Sequence, residues 1–188
     1  MKKIIIFFSL LVVFSCQPIE KNEQVVFDNK QLSNFNIFSN KIEIITIFEK
    51  KISEPYIGHT LKISPVQRIT NWINDNFKAI GKENKFNVTI LDASLTKTEF
   101  ENNDAKKFDE KINFKYELFY LVEFNLYDDS NKLIASTLVE ISRSTTSSIY
   151  ISIKDKENII NDLIYLSLVD LSNESQKLIL KYMSDYIL

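Results

Sequence analysis

Few residues in this 188-residue chain could do chemistry at neutral pH, and their spacing narrows what that chemistry is. The single histidine, His59, stands in YIGHTLKI. A histidine base acts on a neighbouring nucleophile, and the chain holds no Gly-x-Ser-x-Gly elbow to present one, so His59 is expected as a loop or core residue. Zinc takes three or four nitrogen, sulfur or carboxylate ligands. With one histidine such a site would be mostly carboxylate, and no metal is expected. Two glycines, Gly58 and Gly81, make no phosphate-cradling loop, and no cofactor is expected. Among the carboxylates Asp92 is the best candidate for acid–base work, because the apolar pattern changes phase there and a bulge can re-aim a side chain. A carboxylate in such a place more often caps a local backbone donor, which is the expectation for Asp92; Asp128 and Asp129 read as turn residues. No catalytic residue is expected, and the chain reads as a non-enzyme. What remains is Cys16, the only cysteine, at the foot of an apolar run in VVFSCQ.

Lys2 and Lys3 precede an apolar stretch from Ile4 to Phe14 interrupted only by Ser9, the charged and apolar regions of a secretory signal. A membrane-crossing helix needs roughly 20 apolar residues, and this run meets the polar QPIEKNEQ too soon. A secreted domain that used thiols structurally would carry them in pairs. Val13, Phe14, Ser15 and Cys16 resemble a bacterial lipobox, with a branched aliphatic three residues before the cysteine and a small residue directly before it. That resemblance implies cleavage between Ser15 and Cys16, a diacylglyceryl thioether on Cys16 and acylation of the new amino group. More than one acyl chain anchors stably where a single chain is marginal. Gln17 is not the aspartate that retains lipoproteins in the inner membrane of well-studied Gram-negative bacteria, so the implied address is the periplasmic face of the outer membrane.

Removing residues 1–15 takes away two lysines and no acids, leaving 21 basic against 25 acidic residues, a formal charge of −4. Nucleic acid calls for a concentrated basic face, and the two arginines, Arg68 and Arg143, lie far apart; a nucleic-acid partner is not expected. The expected organisation is a signal peptide at 1–15, a lipid-attached polar tether at 16–40, and one domain at 41–188, long enough for one substantial core.

The elements of that domain announce themselves unequally. KIEIITIFEK at 41–50 is short and β-branched, a first strand. Ser64-Pro65-Val66-Gln67 combines an N-cap, a proline at the first helical position and a glutamine positioned for a capping box. Val66, Ile69, Ile73, Phe77 and Ile80 then recur at helical spacing with Trp72 beside them, and Gly81 is expected to end the helix. Phe86, Val88 and Ile90 alternate before Leu91, Ala93 and Leu95 take over the apolar side, which suggests a bulge at Ile90–Asp92. From Ile112 to Leu126 the alternation is unbroken. DDSNK is a turn, and Leu133, Ala135, Val139 and Ile141 return as an antiparallel partner. Ser152 followed by Asp155 opens a long helical region to about Tyr186, expected to kink or divide near Leu171 to Asn173. Its middle, IINDLIYLSLVDL, is apolar around much of its circumference, so it should be covered on two sides or face a ligand or partner. The segment SIYISI is ambiguous between strand and loop.

The order β-α-β-β-β-α predicts an α+β two-layer domain, two helices on one face of a mainly antiparallel four-stranded sheet. A lipobox, a polar tether and a domain of this order resemble the lipopolysaccharide-assembly lipoproteins and the auxiliary lipoproteins of ABC-type lipid transport. SPVQRITNWINDNFKAIG and VTILDASL are similar to an alphaproteobacterial lipoprotein group, which implies a Gram-negative envelope. These resemblances imply an envelope protein partner and transfer no residue roles. Phe119 and Leu121 interrupt the polar face of their strand and form a candidate partner patch; Trp72 and Phe77 would line the wall of any ligand cavity. The expected function is a non-catalytic, membrane-anchored accessory subunit of an envelope complex, with a periplasmic carrier of lipid or apolar ligand as the alternative.

Overall fold

The unbroken alternation beginning at Ile112 builds the middle of the molecule. In the computed structural model, whose described residues are 27–101 and 111–188, this run is a 16-residue strand in which Tyr116, Leu118, Tyr120, Val122, Phe124 and Leu126 are fully buried. The signal peptide, Cys16 and most of the connection ENNDAKKFDEK lie outside the described residues. The element order is β1 (Phe35–Ile37), β2 (Lys41–Thr46), α1 (Pro65–Asn76), β3 (Phe77–Ala79), β4 (Lys85–Glu101), β5 (Ile112–Tyr127), β6 (Leu133–Ser148) and α2 (Ile153–Met183). Strands β2, β4, β5 and β6 form a four-stranded sheet in that order. Both helices cover one face of it.

β4, β5 and β6 are antiparallel, as the hairpin pattern suggests, and β4 shifts register between Ile90 and Asp92. The 128–132 turn closes on its own side chain: Asp128 Oδ1 accepts from the Ser130 and Lys132 amides at 2.9 and 2.8 Å. The sheet is nevertheless mixed, which corrects the antiparallel expectation at its first edge. β2 runs parallel to β4, with Lys41 opposite Lys85, because α1 carries the chain back across the sheet before β4 begins.

α1 starts where expected, with Ser64 Oγ accepting from the Gln67 amide at 3.3 Å. Only half of the capping box forms, since the Gln67 side chain reaches Asn71 at 2.8 Å instead. The helix ends at Asn76, not Gly81. Phe77 turns extended and pairs with Phe35 in a small parallel sheet of β1 and β3. Its ring stacks on Phe35 at 4.3 Å and on Phe124 at 6.0 Å, burial that a further helical turn would forgo. Gly81 serves close approach rather than capping: a Cβ there would lie 2.8 Å from the Phe38 carbonyl carbon and the Ser39 nitrogen.

Residues 27–40 also depart from the tether expectation. Leu32, Phe35 and Ile37 are core residues, and Phe27 sets its ring edge-on to Tyr165 of α2 at 5.6 Å. The Ser33 amide donates to Ser172 Oγ of α2 at 2.9 Å. This segment is the second cover that the apolar middle of α2 called for. α2 itself is one continuous helix, capped by Ser152 and undivided at Leu171–Asn173. Its buried positions Ile160, Leu163, Ile164, Leu168, Leu171 and Ile179 keep helical spacing, so nothing favours a break. Residues 149–152 form the turn leading into it. The chain's last residues close over β1, where Leu188 donates to the Asn36 carbonyl at 2.9 Å. Among the described residues the buried apolar core spans Leu32 to Met183.

Candidate functional site

The face of the sheet turned away from the helices bears the first candidate. Cross-strand register places Phe119 between Ser94 and Ser142, and Leu121 between Asp92 and Glu140. Glu123, on the same side of β5, sits between Thr89 and Leu138. Phe119 and Leu121 are half-buried, and Leu138 is 51 % exposed. Around these three apolar side chains stand Asp92, Glu117, Glu123 and Glu140. Lys115 answers Glu117 at 3.3 Å, while Glu123 accepts from the Asn125 amide at 2.8 Å. The result is an apolar centre with an acidic rim. The described part of the N-terminal segment packs on the helical layer, at Arg68 and Tyr165, and leaves this face open.

Trp72 and Phe77 sit in packed interior. Trp72 is 0 % exposed and meets Phe77 edge-on at 5.2 Å and Phe35 at 6.4 Å. Phe77 stacks on Phe86 and on Phe124 at 6.3 and 6.0 Å, and Phe86 and Phe124 meet at a tilt at 6.1 Å. The Trp72 indole nitrogen and the Tyr116 and Tyr120 hydroxyls are buried without a hydrogen-bond partner among the described residues. Burial pushes the Tyr120 phenol far above its ordinary range, the Arg68 guanidinium opposing weakly. Burial likewise lowers Arg68, whose guanidinium lies 3.3 Å from the Phe27 ring centroid.

Asp92 does what a bulge carboxylate usually does: its Oδ1 accepts from the Ser94 amide at 2.8 Å. His59 lies in a short 3-10 turn, Gly58–Thr60, and its Nδ1 is buried without a partner among the described residues. This turn roofs a pocket that sequence reasoning missed, a cavity of about 200 Å³ between the end of β2, the start of α1 and the part of β4 beyond its bulge. Phe48, Tyr56, Pro65, Val66 and Leu95 give it largely apolar walls, and Lys50, Lys51 and His59 bring basic nitrogens to its lining. Lys51 Nζ lies 3.0 Å from the Tyr56 hydroxyl and 4.4 Å from its ring centroid; the hydrogen bond to Tyr56 raises the ammonium's pKa. The one advance signal was Gly58 beside His59, two residues that no periodic element required.

Cys16 and Ser15 lie outside the described residues. Cys16 precedes Phe27 by eleven residues, a length that spans at most ~36–40 Å fully extended.

No family model matches the chain, and no curated protein matches it in sequence. Among solved structures, a minor lipoprotein from Acinetobacter baumannii is similar over 75% of this chain and 90% of its own, with 8% identity and a TM-score of 0.40. Rare lipoprotein B from Shewanella oneidensis is similar over 72% of this chain and 92% of its own, with 13% identity and a TM-score of 0.36. Neither similarity transfers a residue role.

Proposed function

We propose that this chain is a non-catalytic lipoprotein of the bacterial envelope, anchored through acyl chains on Cys16 at the periplasmic face of the outer membrane, and that it docks on a membrane protein as an accessory subunit. The observation that carries the docking role is the open sheet face, where Phe119, Leu121 and Leu138 stand among four carboxylates, of which Glu117 pairs with Lys115 and Asp92 lies within electrostatic reach of Lys51. An exposed apolar patch with a polar rim is the pattern of a partner site. Its acidic rim favours a basic partner surface and opposes contact with an anionic leaflet, which draws basic residues. The tether is short enough to keep the domain near the bilayer in which such a partner sits.

The alternative, a carrier with Trp72 and Phe77 in its cavity wall, needs empty space where the aromatic rings pack. The test of docking is site-specific photo-crosslinking in living cells, with the crosslinker at Phe119, Leu121 or Leu138 and, as control, at exposed Asn173 on α2. One envelope protein recovered from all three sheet positions and absent from the control is the expected result. No adduct, or the same adducts from Asn173, would refute the docking face.

A further inference from the structure

The pocket roofed by the Gly58–Thr60 turn has features that packing alone does not require. Its walls are apolar, and its cavity of about 200 Å³ exceeds the roughly 150 Å³ in which an engineered apolar cavity stays dry and takes up benzene. The nitrogen bases in the lining are Lys50, Lys51 and His59, and no carboxylate lines it. Tyr56 holds the Lys51 ammonium by a 3.0 Å hydrogen bond and by its ring, so one cation is positioned beside the apolar space. Gly58 leaves part of that space open: a Cβ there would meet Pro65 Cδ at 3.6 Å and Leu95 Cβ at 3.9 Å, ordinary contacts. The backbone at Gly58 has no left-handed φ, so neither conformation nor crowding demands glycine.

We propose that this pocket binds a small carboxylic acid, with its apolar part, of the bulk of one ring or a short acyl chain, against Val66 and Leu95 and its carboxylate at Lys50 and Lys51. Apolar burial supplies the affinity and the two ammonium groups supply selectivity for an anion. Binding here needs no docking partner, so the purified protein tests it separately from the docking role.

The probe is octanoate, titrated calorimetrically into the mature chain from residue 16 onward carrying Cys16→Ser, which leaves no acyl chain to compete and keeps every described residue. Amide shifts in ¹⁵N spectra locate the site. Octanoate is expected to saturate a single site with shifts centred on Val66 and Leu95, and octylamine to bind at least about tenfold more weakly. Gly58→Leu fills the cavity and is expected to abolish binding with its thermal midpoint retained. Lys50→Glu with Lys51→Glu, both at exposed positions, should weaken octanoate by about tenfold or more and keeps the test decisive if Gly58→Leu fails to fold. Absence of saturable octanoate binding, equal binding of octylamine, or shifts confined to another region would each overturn the assignment.

Discussion

Replacing Trp72 by alanine separates a packed subunit from a hollow carrier. A tryptophan buries about 150–250 Å², which at roughly 25 cal/mol per Å² corresponds to about 4–6 kcal/mol of transfer free energy. Trp72 is fully buried and held edge-on by Phe35 and Phe77, so nearly all of that is lost on truncation. One effect opposes the loss. The indole N–H is buried without a partner among the described residues, a burden of about 1–3 kcal/mol that leaves with the ring. The net expectation is about 3 kcal/mol of destabilisation, at the low end of the 3–5 kcal/mol seen for such changes. Trp72→Phe keeps most of the apolar contact, removes the unpaired donor, and should cost less than about 1.5 kcal/mol. Urea unfolding followed by far-ultraviolet circular dichroism gives both values from midpoint and slope. A cost below about 1 kcal/mol for Trp72→Ala would refute the packed-core argument and return the interior to the carrier alternative.

Three further outcomes follow from the same structure. Gly81→Ala should destabilise by about 1–3 kcal/mol, because its Cβ meets backbone atoms of Phe38 and Ser39 at 2.8 Å. Gly58→Ala, whose Cβ makes ordinary contacts, should be neutral or add up to about 1 kcal/mol by restricting the unfolded chain; thermal melts of the pair check the contrast. Tyr120→Phe should change stability by less than about 1 kcal/mol at neutral pH, since the hydroxyl it removes has no partner among the described residues. Burial raises the folded phenol's pKa. Its stabilising effect is therefore complete below the unfolded value of about 10 and is lost as pH climbs beyond it. The parent should thus lose stability more steeply than Tyr120→Phe between about pH 9 and about pH 11, and parallel curves by urea denaturation would contradict this origin.

Much of the fold was legible because it is local. The cap at Ser64 forms where a serine, a proline and a helical stripe coincide. The bulge at Asp92 follows from a phase slip that only an extra residue can accommodate. The 128–132 turn closes through Asp128, whose side chain needs only its own neighbours. The site was less legible. Phe119 and Leu121 stood out because their own strand alternates so strictly, yet Leu138 joins them only through the register of β6. The pocket at Gly58 was signalled only by Gly58 and His59 standing outside any periodic element, because it is assembled from three separated stretches with no common period.

The boundary between the two kinds of information falls at Phe77. Helical spacing counted it as one more turn of α1, but the competing partner, Phe35, lies 42 residues earlier, and its ring outweighs the local pattern once the chain has folded. The same holds for residues 27–40, where Phe27 meets Tyr165 of α2 while Phe35 meets Trp72 of α1 and Phe77 of β3, so no single surface imposes a period, and for β2, whose direction depends on where α1 returns the chain. By itself the sequence determined strand alternation, helix starts, the bulge and the tight turn, because hydrogen bonds and side-chain period within a few residues decide them. The tertiary structure decided the helix end, the parallel edge, the fate of the N-terminal segment and the pocket, because those depend on which distant surfaces bury one another.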